Sequence, residues 1–155
     1  MVNKSLQKKI ISKNKKALYN YFIDETYETG IVLKGSEIKS CREGKVSLKD
    51  SYAKIKNGEL YLTNSHISPY FYANQFNHEP LRDRKLLLHR REIKRLIGKI
   101  NERGATLIAL SMYLKDGKAK VELGLAKGKR LYDKRQSIKD KTEKRELERA
   151  LKITR

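Results

Sequence analysis

Acidic residues, cysteine and continuous apolar runs are all scarce in this 155-residue chain, and each shortage narrows its possible roles. A single cysteine, Cys41, rules out an internal disulfide framework and fits a reducing compartment. Its expected role is that of a small buried hydrophobe. No apolar run reaches membrane-spanning length, and residues 1–16 hold no signal-peptide core. The expectation is therefore a cytoplasmic protein with no membrane partner. His66, His78 and His89 are scattered without metal-ligand spacing, and there is no cysteine pair, G-x-S-x-G, H-E-x-x-H or Walker loop. The glycines of GLAKG (124–128) lack the Gly-Lys-Ser/Thr ending of a phosphate loop. No catalytic residue, metal or cofactor is expected, and the chain reads as a non-enzyme.

Positive charge is what the chain has in excess. Lys and Arg number 37 against 18 Asp and Glu, a formal charge of +19, which favours polyanions through counterion release. The charge divides unevenly in kind. Residues 129–155 hold 11 Lys or Arg against 5 Asp or Glu, one aromatic residue, and neither glycine nor proline. Such a segment cannot bury enough apolar surface to offset its ordering entropy, so a tail disordered when free is expected. The remaining residues, 1–128, keep a charge of +13 and suffice for one domain with one core; no internal repeat is visible.

That domain reads as mainly β. Asn57-Gly58 and Asp116-Gly117 each separate strand-like runs, the signature of type I′ hairpins. The paired runs are 51–55 with 60–64, and 106–114 with 119–125. Tyr27, Thr29, Ile31 and Leu33 line one face of a further strand ended by Gly35. Leu107 to Leu110 is apolar on both faces, which marks a central or covered strand. Ile93, Leu96, Ile97 and Ile100 share one helical face, leave Arg91, Lys94, Arg95 and Lys99 for solvent, and precede a capping Gly104. Shorter helical turns are expected at 14–19 and around 68–74. Many short antiparallel strands plugged by a helix point to a small antiparallel β-barrel, with the oligonucleotide-binding fold as the leading candidate.

An RNA-facing surface is drawn from Asn14, Lys15 and Lys16, from Lys34 and Lys39, and from Arg82-Asp83-Arg84-Lys85. Tyr19, Tyr21, Tyr70, Phe71 and Tyr72 lie nearby in sequence. Basic residues neutralise phosphates and exposed tyrosines stack on unpaired bases; the competing use of each aromatic is core filling.

Three runs then carry a resemblance: GSEIKSCREGKVSLKDSYAKIKNGELYLTNSHISPY (35–70), HEPLRDRKLLLHRREIKRL (78–96) and GLAKGKRLYDKR (124–135). In this order they closely resemble the small protein B family, the SsrA-binding proteins of bacterial trans-translation. The resemblance implies an oligonucleotide-binding-type barrel with about three helices. It also implies binding of transfer-messenger RNA (tmRNA) by its tRNA-like domain and delivery of that RNA to ribosomes stalled on messages without a stop codon. Through tmRNA it implies functional links to elongation factor Tu and alanyl-tRNA synthetase. By position, the RNA face would use Asn14, Glu28 and Leu87 beside Lys15, Lys16, Lys34, Arg84 and Lys85. Glu28 would accept a base or sugar hydrogen bond; Leu87 would either pack on an exposed base or feed the core. Lys127, Gly128, Lys129, Arg130, Tyr132, Asp133, Lys134 and Arg135 match the family segment that occupies the 16S rRNA decoding centre, with the rest of the tail in the empty message channel. Cys41 departs from the family, which usually has a bulky aliphatic there, and Lys152 to Arg155 match only loosely.

The tail's own residues fit an induced helix. Ser137-Ile138-Lys139-Asp140 reads as a capping box, Asp140 with Lys144 and Glu148 with Lys152 are favourably spaced, and Leu147, Ala150 and Leu151 form a short stripe. About 15 residues of helix are marginal alone in water. A channel filled by intact mRNA leaves such a helix no room, so the tail would gauge message length. The other readings are a general RNA-binding or ribosome-associated barrel protein without a dedicated RNA, and, more distantly, an RNA-processing enzyme.

Overall fold

A computed structural model describes residues 8–153; residues 1–7 and 154–155, the outer ends of the expected domain and tail, lie outside the described residues. The elements run β1 (Lys8–Lys13), α1 (Ala17–Asn20), β2 (Tyr21–Ile31), α2 (Gly35–Arg42), β3 (Val46–Ser47), β4 (Tyr52–Lys56), β5 (Glu59–Thr63) and β6 (His66–Ile67). A 3₁₀ helix (Phe71–Phe76) then leads to β7 (Arg84–Leu87), α3 (Arg90–Arg103), β8 (Thr106–Lys115), β9 (Lys118–Gly128) and α4 (Leu131–Ile153).

Six strands pair in a closed antiparallel ring, β8-β4-β5-β7-β2-β9 and back to β8, while β1 takes the rest of the β8 edge that β4 leaves free. The ring leaves β8 with neighbours on both sides, which explains why Leu107, Ile108 and Ala109 are all buried. Both expected hairpins form. Asn57 and Gly58, and Asp116 and Gly117, all have positive φ, the backbone that a type I′ turn requires.

The core fills the ring with Leu60, Leu62, Leu86, Leu107, Met112, Val121, Leu123 and Leu125. Helix α3 closes it with Ile93 and Leu96, while Ile97 and Ile100 stay part-exposed. Its Gly104 C-cap is left-handed at φ 61°. A Cβ added there meets open space, so Gly104→Ala should cost only the backbone strain, about 1–2 kcal/mol. A matching drop in the urea-unfolding midpoint at constant slope checks this.

Cys41 is buried, its Sγ 3.9 Å from Met112 Sδ, and burial pushes the thiol up to about 11. It packs as a small hydrophobe. One expected solvent-facing residue, Lys99 on α3, instead pairs with Glu25 and sits 3.2 Å from the Tyr27 hydroxyl.

The largest departure from the sequence reading is α2. Its inward face is Glu37, Ser40 and Cys41, so it carries no apolar stripe for a periodicity argument to find. Glu37 is fully buried between Arg84 and Arg82, and it accepts the Lys34 N–H at 2.9 Å. Burial alone would push its carboxyl up. The Lys34 N–H and the two guanidiniums outweigh that and hold it below the usual carboxylate range.

Candidate nucleic-acid interface

Gly30 and Leu87 are partners in the β2–β7 register. A Cβ on Gly30 would stand 3.2 Å from Leu87 Cβ, so the glycine makes room for the leucine side chain. Leu86 and Leu88 turn inward, but Leu87 is 50% exposed, which removes core filling as its role. Alternation along β2 places Glu28 on the same outward face as Gly30 and its partner Leu87. An exposed glutamate and an exposed leucine thus share one outward face, with the Glu28 carboxylate turned toward β8.

Glu28 does not hang free. Its carboxylate accepts the Tyr113 hydroxyl and lies 3.3 Å from Lys115 Nζ. The Tyr113 bond holds Glu28 below the usual carboxylate range, and Lys115 adds to it. Sequence reasoning missed Tyr113 because it lies in an apolar strand and reads as core; the only signal was its place two residues before Lys115 at the hairpin.

Asn14 sits elsewhere on the ring. Its backbone N–H donates to Leu110 O at 2.8 Å and its side-chain amide to Ala109 O at 3.0 Å. The β1 side of β8 is three strand spacings from β2 around the ring, about 14 Å along the sheet, so Asn14 stands apart from Glu28. Asn14, Lys15 and Lys16 line a shallow cleft of about 230 Å³ with Lys13 and Lys49. That clustering of cations comes from packing β1 against the segment after β3.

The remaining predicted residues divide. Lys34 is exposed at the start of α2. Lys85 is part-exposed and paired with Glu59 at 3.0 Å. Arg84 is a correction: its side chain is fully buried, ion-paired to Glu37, and donates to Ser65 O at 2.9 Å and Pro80 O at 3.1 Å. The guanidinium is enclosed by α2, by Ser65 between β5 and β6, and by the loop before β7, so it braces the fold and offers no exposed cation. Of the aromatics, Phe71 and Tyr72 are exposed in the 3₁₀ helix, and Lys39 Nζ lies 5.4 Å from the Tyr70 ring centre.

The tail segment begins where β9 ends, with Lys127 and Gly128 paired to Phe22 and Tyr21. Lys129 is engaged inside the molecule. Its N–H donates to Asn20 O at 2.8 Å, its ammonium donates to Leu18 O at 2.9 Å and Ser137 Oγ at 2.8 Å, and it lies 4.9 Å from the Phe22 ring centre. Helix α4 then runs from Leu131 to Ile153 with no buried residue. The expected Ser137 capping box is corrected: the helix starts about two turns earlier, and the Arg130 N–H donates to the Asp133 carboxylate at 3.3 Å, the N3 half of a capping box. Ser137 is helix interior, donating to Asp133 O at 3.0 Å. Arg130, Tyr132 and Arg135 are exposed and Lys134 part-exposed. Among the described residues no helix is long and apolar enough to cross a membrane, and no group of three acidic, His or Cys side chains could hold a metal.

The profile of the SmpB protein family matches residues 11–153. Similar proteins include the SsrA-binding protein of Geobacillus thermodenitrificans (strain NG80-2), 60% identical over 144 residues that span 93% of this chain and 93% of that one. The SsrA-binding protein of Bacillus subtilis (strain 168) is also 60% identical over 144 residues, 93% of this chain and 92% of its own. That of Acetivibrio thermocellus is 58% identical over 146 residues, 94% and 95% respectively. A solved structure described as "tmRNA-SmpB: a journey to the center of the bacterial ribosome" is 47% identical with a TM-score of 0.65, over 82% of this chain and 93% of that one.

Proposed function

This chain belongs to the SmpB protein family, and on that premise we propose that it binds tmRNA (SsrA RNA) through its barrel and delivers it to stalled ribosomes. It is a cytoplasmic adaptor and no enzyme, and it meets elongation factor Tu and alanyl-tRNA synthetase only through tmRNA. The observation that carries this reading is the joint exposure of Glu28 and Leu87 on one outward face of a molecule of charge +19. A purely electrostatic RNA binder has no use for either residue there. A carboxylate repels phosphate, so it acts where a base or ribose donor is offered, and the leucine supplies an apolar seat for an unstacked base. Asn14, Lys15, Lys16, Lys34 and Lys85 supply phosphate contacts and orientation around that pair.

The tail acts second. Lys127 to Arg135 lead from the barrel into the 16S rRNA decoding centre, and α4 extends into the vacated message channel. The barrel supplies what the lower half of a tRNA would present, and the tail replaces codon pairing.

Binding by the full chain should therefore contain two separable parts. Raising salt should weaken binding to tmRNA and to an unrelated tRNA alike, because phosphate contacts dominate. Asn14→Ala and Glu28→Ala should instead lose preference for the tRNA-like domain of tmRNA while keeping the non-specific affinity. Fluorescence anisotropy with both RNAs measures this, and normal preference in both variants would dismiss the proposed face. Removing residues 129–155 should change tmRNA affinity little.

A further inference from the structure

We propose that Tyr113 is a positioning residue of the RNA-binding face, holding Glu28 in the one orientation from which its carboxylate meets RNA. This rests on the reading of Glu28 as an RNA contact. Tyr113 is 2% exposed, yet its hydroxyl emerges at an exposed glutamate 85 residues away in sequence. It reaches there from β8 across β9, where it pairs with Lys120, while Lys8 Nζ from β1 lies 4.0 Å from the ring centre. The buried ring is thus covered by Lys8 and carried on a paired strand before its hydroxyl meets Glu28.

The glutamate needs such a hold. Directly opposite Glu28 in the β2–β9 register stands Glu122, and like charges facing each other across a strand pair repel. Glu122 is itself tied back, accepting the Ser111 hydroxyl at 3.1 Å. Tyr113 takes Glu28 Oε2 and Lys115 stands at Oε1. A carboxylate offers about four acceptor sites, so each oxygen keeps capacity for a donor from RNA while its direction is already set. Immobilising a rotamer-rich side chain in advance lowers the ordering cost of binding.

The test uses the full chain with a transcript of the tRNA-like domain and an unrelated tRNA. Tyr113→Phe keeps the ring beneath Lys8 and removes one hydrogen bond to a charged group, so cognate affinity should fall roughly tenfold with affinity for the unrelated tRNA unchanged. Added to Glu28→Ala, Tyr113→Phe should have no further effect, because it acts through Glu28; a structural role would add its own loss. In ¹³C-glutamate spectra the Glu28 carboxyl should titrate at higher pH in Tyr113→Phe, with Lys115, Lys120 and Glu122 still facing it. Wild-type cognate affinity in Tyr113→Phe, or an additive loss in the double variant, would overturn the proposal. If Glu28→Ala weakens cognate binding and Tyr113→Phe does not, this inference alone fails. If Glu28→Ala binds normally, the contact reading falls with it.

Discussion

Replacing Asp133, Lys134 and Arg135 together by alanine should abolish peptide tagging in a reconstituted stalled-ribosome assay while leaving tmRNA affinity within a few-fold. The three residues follow the end of β9 and lie in the first turns of α4, outside the strands that carry Glu28 and Leu87. Lys134 and Arg135 can pair with rRNA phosphates. Asp133 would be repelled by them as a contact, and its structural place supplies another use: it accepts the Arg130 N–H and so starts the helix. Losing such a terminal bond costs about 0.5–2 kcal/mol of helix stability, a large share for a helix with no buried residue. Leu147→Pro separates helix from charge, since it removes no basic residue and costs about 3 kcal/mol of helix. Leu147 is exposed, so the barrel is untouched, and tagging should again fail. Normal tagging by either variant would reduce the tail to an electrostatic tether.

Glu37→Ala should destabilise the folded protein by about 3–5 kcal/mol, because it leaves the enclosed Arg84 guanidinium without its counter-charge. Glu37→Gln keeps an acceptor for the Lys34 N–H and should cost less. The pH dependence follows from the same group. Its carboxyl is depressed in the fold, so its contribution is complete above the unfolded carboxylate range and is lost as pH falls through the lower folded value. The wild type should accordingly lose stability in acid more steeply than Glu37→Gln. Urea unfolding at neutral and acid pH measures both effects, and a change under about 1 kcal/mol for Glu37→Ala would contradict a closed ion-pair site. RNA binding by Arg84 variants would fall through unfolding and not through a lost contact.

Arg84 also shows where the sequence misleads. In Arg82-Asp83-Arg84-Lys85 the four charges look alike as a solvated run, but strand alternation turns Arg84 inward at the one place where α2 offers a buried carboxylate. Nothing local in either segment announces that pairing, since the two lie 47 residues apart. Strand β1 was equally hidden, being KKIISK with four polar residues of six, and it forms because β8 has a free edge. The hairpins, α3 and its Gly104 cap were legible because their signals are local: paired turn residues, a single apolar face, one glycine. Glu28 and Leu87 were found only through resemblance. Their shared outward face follows from the β2–β7 register, which single-strand patterns do not contain. The start of α4 is not legible because Ser137 and Asp133 both fit capping positions in the sequence, and the Asp133 bond to the Arg130 N–H, with Lys129 tied to α1 and Ser137, sets the earlier one.

Capture of RNA from a bacterial extract by the tagged full-length protein, followed by sequencing at moderate salt, tests the dedicated-RNA claim most directly. The account predicts that tmRNA dominates the retained RNA, and that Glu28→Ala loses it selectively. A spread of rRNA, tRNA and mRNA fragments in proportion to abundance, unchanged by Glu28→Ala, would contradict it and identify a general RNA-binding barrel.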